Sequence, residues 1–374
     1  MARPKTTYWD FIKVEELLTL QSGIADNDAG LSNDEVRFIV IHQIDELWFK
    51  LALRELESVR DLFRESHVEE TALAQTCSGL NRVSLIFELA ANQFKLMETM
   101  RTRDYLSFRD KLSPASGFQS AQMREIEILI GLDPDERIHL GYEGSFMDAL
   151  KGEGGKSSPA LDRVQRRLDE DMSVKEAIYS WLYRTPIDGS SPDDPDDESI
   201  VTSFLDRFYE SDHKAKDELI KHTATAQALT DDDVARLRDR YQKELEGSKS
   251  YLTAADVEDP GENYRVRRMR AAILFIESNR ELPLLSWPGE IIDGLIALEQ
   301  SMLIFRQRHA RMIERVIGRR VGTGGSSGVD YIDQTALKYR VFKEIWAART
   351  MLLSPAQAPR AINADFYGLR SDPD

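Results

Sequence analysis

The stretch FIVIHQIDELWFK, residues 38–50, places most of its apolar side chains on one face when it is wound as an α-helix. Ser32 and Glu35 lie just before it and match a capping box, which predicts a helix that begins near Asn33 and continues to about Phe63. Large apolar residues recur along this helix at spacings of three, four and seven: Phe38, Ile41, Leu47, Trp48, Leu51 and Val59. The segment therefore predicts one long helix packed against a core.

The same helical period recurs through the rest of the chain, whereas almost no segment alternates with period two. Gly131 and Gly318 are predicted helix ends, because glycine readily adopts the left-handed conformation. No internal repeat and no convincing interdomain linker is apparent. We therefore predict one all-α domain over residues 1–374, with a helix-bundle core and an inserted helical segment. The further predicted helices cover residues 82–100, 121–130, 174–182, 200–222, 231–252, 264–277, 291–317 and 334–352.

Three stretches are predicted to be loops: residues 113–117, 186–198 and 322–328. The second, PIDGSSPDDPDDE, combines turn-forming residues with like charges, which favours a solvated acidic connector over a calcium loop. The third, GTGGSSG, resembles a phosphate cradle in composition, but no Walker lysine follows and it comes after a helix. Its four glycines instead predict a flexible lid, in which Thr323 offers a hydroxyl to a polar ligand.

Composition excludes several classes of function. The chain has 374 residues, 41% of them hydrophobic, and a formal charge of -16, which opposes binding to nucleic acid or to an anionic membrane. Its one cysteine, Cys77, excludes an internal disulfide and a thiolate cluster. We see neither an apolar signal core in residues 1–8 nor a run of eighteen apolar residues, so we expect a cytoplasmic protein with a small neutral or zwitterionic ligand.

The six histidines do not form a metal-binding pair at short spacing, so a zinc or non-haem iron site would need scattered ligands. A haem needs only one axial imidazole, and His309 lies on a predicted helix between Arg306, Arg308 and Arg311. A lone histidine on a helix is also consistent with a surface position, or with a core position in which protein groups satisfy its hydrogen bonds. His42 raises the same alternatives, and Phe38 shares its helix face because it lies four residues earlier.

The region around His309 resembles a known family. The pattern Arg306-x-x-His309-x-x-x-Ile313-x-Arg315-x-x-Gly318, followed by GTGGSSG, is similar to the haem-ligand helix and substrate loop of the tryptophan 2,3-dioxygenase family. FIVIHQIDELWFK, the pattern Tyr105-x-x-Phe108-Arg109 and SPASGFQS at residues 113–120 follow in the order typical of that family. The resemblance covers most of the chain and is weakest over about residues 141–290.

The resemblance implies a role for each matching residue. His309 would be the axial ligand of a haem b iron, and His42 a catalytic-site residue that positions the indole N–H. Arg109 would bind the substrate carboxylate, and Thr323 the ammonium and carboxylate groups. The remaining residues would line the site: Phe38, Tyr105 and Leu112 around the indole, Ser116 and Gly117 beside the haem, and Tyr8 and Phe11 in the site of a neighbouring subunit of a homotetramer.

The activity implied is insertion of both atoms of dioxygen across the indole C2–C3 bond of L-tryptophan, which gives N-formylkynurenine. Two departures concern Phe11, where the family commonly has tyrosine, and Phe305, where it commonly has tryptophan. One alternative is a related enzyme that transfers a single oxygen atom to tryptophan or a substituted tryptophan and forms an oxindole. Another is a non-catalytic haem-binding sensor, although that alternative gives no reason for Arg109 and Thr323.

Overall fold

The computed structural model describes residues 6–113, 115–138, 146–320, 322 and 328–368. Within these ranges the chain forms fifteen α-helices and no β-strand, which confirms the predicted all-α class. The helices are α1 Tyr8–Ile12, α2 Val14–Leu17, α3 Asn33–Arg64, α4 Glu70–Met97, α5 Thr102–Leu112, α6 Ala121–Ile130, α7 Phe146–Ala149, α8 Pro159–Leu168, α9 Val174–Arg184, α10 Asp197–Ala226, α11 Asp231–Leu252, α12 Pro260–Ser278, α13 Pro283–Ile317, α14 Val329–Lys338 and α15 Lys343–Met351.

The centre of the fold is a bundle of three long helices, in which α4 packs against both α3 and α13. Leu56, Phe87 and Leu295, one from each helix, are completely buried. Helices α6 and α9 pack on α3, α12 packs on α9, and α10 pairs with α11. Burial of apolar side chains along the three long helices supplies the main stabilising free energy, and it fixes the helices that carry the candidate site.

Helix α3 begins where the sequence predicts. The hydroxyl of Ser32 accepts a hydrogen bond from the backbone N–H of Glu35 at 3.2 Å. The reciprocal half of the capping box does not form, because the Glu35 carboxylate accepts from Nζ of Lys111 at 2.8 Å instead. The predicted apolar stripe is also wrong at two positions, since Leu47 and Leu51 are 49% and 48% exposed.

The acidic segment 186–198 is solvated, as its composition predicts, over residues 193–196, whose side chains are exposed, but the chain on either side of that stretch contacts the core. The Arg268 guanidinium is completely buried and donates to Asp197 at 2.7 Å and to the carbonyl oxygens of Thr185 and Ser190, each at 3.0 Å. Ile187 is also completely buried. One buried arginine therefore neutralises an acidic side chain and satisfies backbone carbonyls, which folds the segment onto the core.

Several predicted helices have different bounds in the structure. Helix α13, for example, begins at Pro283 instead of residue 291. Helix α4 begins at Glu70, well before residue 82. Gly79 lies in this first part of the helix, where α4 approaches α3 closely: a Cβ added at Gly79 would be 3.4 Å from the Val59 side chain. The predicted helix over 334–352 is divided between α14 and α15. At the break, the backbone N–H of Val341 donates to the buried carboxylate of Glu299, which replaces a bond within a helix.

In the described part of the chain, no helix combines the length and apolar character needed to cross a lipid bilayer.

Candidate active site

His309 lies on α13 in contact with aromatic rings. Its imidazole stacks on the Phe94 ring of α4, with ring centroids 5.1 Å apart and ring planes 14° apart. Burial, together with the nearby His42 and Arg306, lowers the pKa of His309 to about 4. The imidazole is therefore neutral at neutral pH, so one ring nitrogen carries the lone pair that a metal ligand needs.

His42 lies on α3, and its Nδ1 is 2.7 Å from the backbone carbonyl oxygen of Phe38, one turn earlier. A carbonyl oxygen can only accept, so this contact assigns the proton to Nδ1 and leaves the lone pair on Nε2. Burial lowers the pKa of His42, although the Phe38 carbonyl and Glu46 oppose that shift. Because His42 also affects the pKa of His309, the fold brings the two histidines to one region.

An aromatic wall lies beside His42. The Phe38 ring centroid is 4.1 Å from that of His42, 6.1 Å from that of Tyr105 and 5.9 Å from that of Phe108. Tyr105 and Phe108 lie on α5, and both are buried. Leu112, at the end of α5, is partly buried against the same core. The structure therefore brings together His42 and two of the three residues predicted to line an indole site, Phe38 and Tyr105.

Arg109 is the charged residue of this wall. Its side chain forms a hydrogen bond with the Tyr105 hydroxyl. Burial raises the pKa of Tyr105, and the charge and hydrogen bond of Arg109 oppose that shift. The Tyr105 phenol therefore stays protonated at neutral pH, and its oxygen accepts from the guanidinium. This contact holds the Arg109 guanidinium beside the aromatic wall.

Ser116 and Gly117 lie in the turn between α5 and α6. The Ser116 hydroxyl accepts from the Phe118 backbone N–H at 3.3 Å, and the Ser116 N–H donates to the Gln119 side chain at 3.1 Å. A Cβ at Gly117 would have no atom of the described residues within 4 Å. Packing of the described chain therefore does not require glycine there, which leaves room for close approach of a ligand.

Two sequence predictions involve residues outside this cluster. Tyr8 and Phe11 lie on α1 and are 72% and 80% exposed, so they are not packed into the aromatic wall of their own chain. Thr323 lies outside the described residues, as does the rest of the segment 323–327. The loop is described only at its two ends, Gly322 and Gly328.

The arginines that flank His309 pair with protein carboxylates. Arg308 lies 4.0 Å from Glu98, and Arg311 pairs with Glu314 at 2.8 Å. These contacts leave the side chains partly exposed on the surface of α13.

The sequence did not predict a buried charged cluster that includes Arg306, one turn before His309. Glu127, on α6, is 1% exposed and accepts from Arg306 at 2.9 Å, from Arg124 at 2.8 Å and from Arg137 at 2.9 Å. The Arg306 guanidinium also lies 4.7 Å from the centroid of the Tyr339 ring. The available signal was the pair Arg124 and Glu127, three residues apart within the short helix AQMREIEILI.

Other parts of the chain offer less for catalysis. No group of three or more histidine, cysteine or acidic side chains within the described ranges could hold a metal ion. An open surface groove of about 690 Å³ runs along α10, between residues such as Glu198, Asp206 and Glu210, but none of its lining residues belongs to the histidine cluster. The candidate active site is therefore the region around His42 and His309.

The chain matches the model of the family described as tryptophan 2,3-dioxygenase over residues 1–352. It is 53% identical over 365 residues to the tryptophan 2,3-dioxygenase of Sorangium cellulosum, covering 97% of this chain and 87% of that protein. It is 50% identical over 357 residues to tryptophan 2,3-dioxygenase 2 of Ralstonia nicotianae, covering 94% and 95% of the two chains. Identity to a tryptophan 2,3-dioxygenase-like protein of Xanthomonas campestris is 48% over 271 residues, which is 72% of this chain and 97% of that protein. The chain belongs to the tryptophan 2,3-dioxygenase family.

Proposed function

We propose that this protein uses a haem to cleave the indole C2–C3 bond of L-tryptophan with dioxygen, forming N-formylkynurenine. The observation that carries the proposal is the convergence of two neutral histidines, from α3 and α13, with an aromatic wall that ends in Arg109. An aromatic wall with one cation at its edge matches a ligand that has an aromatic ring and a carboxylate. Tryptophan has both groups.

The residues present fit a haem b whose iron His309 would hold. The His309 imidazole is neutral, and its stacking partner covers a ring face instead of the in-plane lone pairs. Gly117 leaves space beside its backbone, and Ser116 offers a hydroxyl in the same turn. When bound, ferrous haem supplies the iron at which dioxygen reacts. We assign His309 as the iron ligand, and Ser116 and Gly117 as residues beside the haem.

Arg109 orients the substrate in this proposal. A guanidinium can donate two parallel hydrogen bonds to a carboxylate, which fixes both position and direction. Tyr105 holds part of Arg109 and, with Phe38 and Leu112, forms the apolar wall for the indole ring. The amino-acid end and the ring are then held by different parts of one rigid surface, which lowers the entropic cost of reaching a reactive orientation.

His42 positions the indole N–H. Its Nδ1 donates to the Phe38 carbonyl, so Nε2 is the acceptor that remains for a ligand. The depressed pKa keeps this acceptor unprotonated at neutral pH. We assign His42 to substrate positioning within the catalytic site, because oxygen addition to the indole can begin before the N–H proton is removed.

The assembly that we propose is a homotetramer in which Tyr8 and Phe11 reach the site of a neighbouring subunit. Within one chain, α1 and α2 contain no buried residue, although they carry several large apolar side chains. Such exposed apolar surface is typical of a protein interface. Phe11 has no hydroxyl where the family commonly has one, so its proposed contribution to the neighbouring site is apolar.

The test is to load the purified protein with haemin, reduce it anaerobically and add L-tryptophan and air. Formation of N-formylkynurenine, followed by absorbance and mass, is the expected result. His309→Ala should lose the histidine-ligated Soret spectrum and the activity. If the unmodified protein is fully loaded with haem and yields no N-formylkynurenine, the proposed function is wrong.

A further inference from the structure

We propose that Phe94 is a positioning residue that sets the orientation of the His309 imidazole plane. This inference rests on the proposed role of His309 as a haem ligand. The two rings are close to parallel, with planes 14° apart and centroids 5.1 Å apart. That separation is typical of offset stacking, the preferred arrangement of aromatic pairs. Rotation of the imidazole about its Cβ–Cγ bond would break this arrangement, so the stack favours one ring plane.

Phe94 is held firmly enough to act as a reference surface. It is 3% exposed, and its ring centroid lies 5.3 Å from that of Phe305. Phe305 in turn meets Phe87 edge-on at 5.6 Å and Phe49 at 6.0 Å. These four phenylalanines come from α3, α4 and α13, the three central helices. The plane of His309 is therefore coupled to the most deeply packed part of the fold.

No hydrogen bond from the described residues fixes the plane of the His309 ring. Histidines that bind metals commonly donate their second N–H to a carboxylate or a backbone carbonyl, which fixes the tautomer and the ring plane. His309 has no such bond among the described residues, and its contacts are with Phe94 and, at a 40° tilt, with Phe305. An aromatic stack fixes the plane without adding negative charge to the imidazole.

The stack also leaves the ring edge available. An imidazole lone pair lies in the plane of the ring, whereas the Phe94 ring covers one face. The same geometry can thus hold the ring and present a nitrogen to iron. Loss of the flat partner would broaden the range of ring orientations, weaken the bond to iron and increase the rate of haem loss.

The experiment compares matched substitutions in the same aromatic cluster. Phe94→Leu and Phe94→Met remove the ring that touches His309, whereas Phe87→Leu and Phe87→Met remove a buried ring that touches Phe305 but has no ring contact with His309. Each variant is loaded with haem. The measurements are the iron–histidine stretching band in the resonance Raman spectrum of the ferrous protein, the rate of haem transfer to apomyoglobin, and the thermal unfolding midpoint.

We expect both Phe94 variants to shift or broaden the iron–histidine band and to lose haem about two- to tenfold faster, the range that corresponds to one aromatic pair. Both Phe87 variants should lower the unfolding midpoint comparably but change the band and the haem-loss rate clearly less than the Phe94 variants do, because they leave the stacked ring in place. The Met variant keeps much of the side-chain volume, so it decides the outcome if Phe94→Leu does not fold.

Equal spectroscopic effects at residues 94 and 87, or an unchanged band in the Phe94 variants, would overturn the inference and leave Phe94 as an ordinary core residue. His309→Ala is measured in parallel, because it separates the two proposals. Retention of a normal histidine-ligated spectrum in that variant would show that His309 is not the ligand. Loss of that spectrum together with unchanged Phe94 variants would contradict only the stacking proposal.

Discussion

The Arg306 guanidinium, one turn before His309 on α13, donates a hydrogen bond to the Glu127 carboxylate of α6 at 2.9 Å. Arg124 and Arg137 share the same carboxylate, so a single negative charge in the core has three positive partners. This cluster joins the helix that carries His309 to the helix that follows Ser116 and Gly117. Its energetics can therefore be tested independently of catalysis.

Glu127→Gln should destabilise the fold strongly. Removing one partner of a buried charge cluster costs about 3–5 kcal/mol, because the remaining charges stay buried without compensation. Chemical denaturation of the haem-free protein measures this change. Glu55→Gln provides the control, because Glu55 forms a bidentate pair with the exposed Arg82 and such surface pairs contribute about 1 kcal/mol or less. Similar losses for the two variants would contradict the central role of Glu127.

The cluster around Glu127 also predicts how the stability of the fold depends on pH. Burial alone would raise the pKa of Glu127, but Arg124, Arg306 and Arg137 outweigh it and lower the pKa to about 2. The folded state therefore binds fewer protons at this site than the unfolded state does below pH of about 4.5. The stabilisation is complete above that value and is lost as the pH falls towards 2. Glu127→Gln should remove this part of the pH dependence.

Asp45→Asn should stabilise the protein increasingly as the pH rises. Burial and the neighbouring Glu46 raise the pKa of Asp45 to about 8, and the hydrogen bond from Gln93 opposes that shift only in part. Between pH of about 4 and 8 the folded state retains a proton that the unfolded state releases, so stability falls by up to about 1.4 kcal/mol per pH unit. An asparagine has no such proton and keeps an acceptor for Gln93.

Unfolding free energies of both proteins at pH 5 and pH 8 test this prediction. We expect a small difference at pH 5 and a clear advantage for Asp45→Asn at pH 8. A difference that is constant across the two pH values would mean that Asp45 is already ionised in the folded protein.

Arg109→Leu should weaken tryptophan binding by about ten- to a hundredfold, because a hydrogen bond to a charged group contributes about 1.5–3 kcal/mol. Tyr105→Phe removes only the hydroxyl that contacts Arg109, so its effect should be smaller. Spectroscopic titration of the haem-loaded variants measures both affinities. Indole, which has no carboxylate, should bind equally well to all three proteins. A matching loss of indole affinity in Arg109→Leu would assign Arg109 to the fold instead of the substrate.

The sequence predicted well those features that depend on local chemistry. Helix α6 begins where the Ser120 hydroxyl accepts from the Met123 N–H and ends at Gly131, which has a φ of 94°. These are short-range capping interactions, and their residue types are visible in the sequence. The pairing of Phe38 with His42 was likewise predictable, because residues four apart on a helix share one face.

Features that depend on contacts between residues far apart in the sequence could not be predicted in the same way. The acidic composition of residues 186–198 gives no sign that Arg268 will be buried among them, more than seventy residues after Asp197. The three arginines on Glu127 come from positions between 124 and 306, and the stack of Phe94 on His309 joins α4 to α13. The sequence thus indicated which residues form the candidate site but not what holds them in place.

The most direct test of the proposed reaction is a single turnover in which the reduced, haem-loaded protein and L-tryptophan react with dioxygen labelled with heavy oxygen. The reaction is quenched and the product is analysed by mass spectrometry. Insertion across the indole C2–C3 bond predicts N-formylkynurenine that contains two heavy oxygen atoms from the same dioxygen molecule. A product with a single heavy oxygen atom, such as an oxindole, would contradict the account.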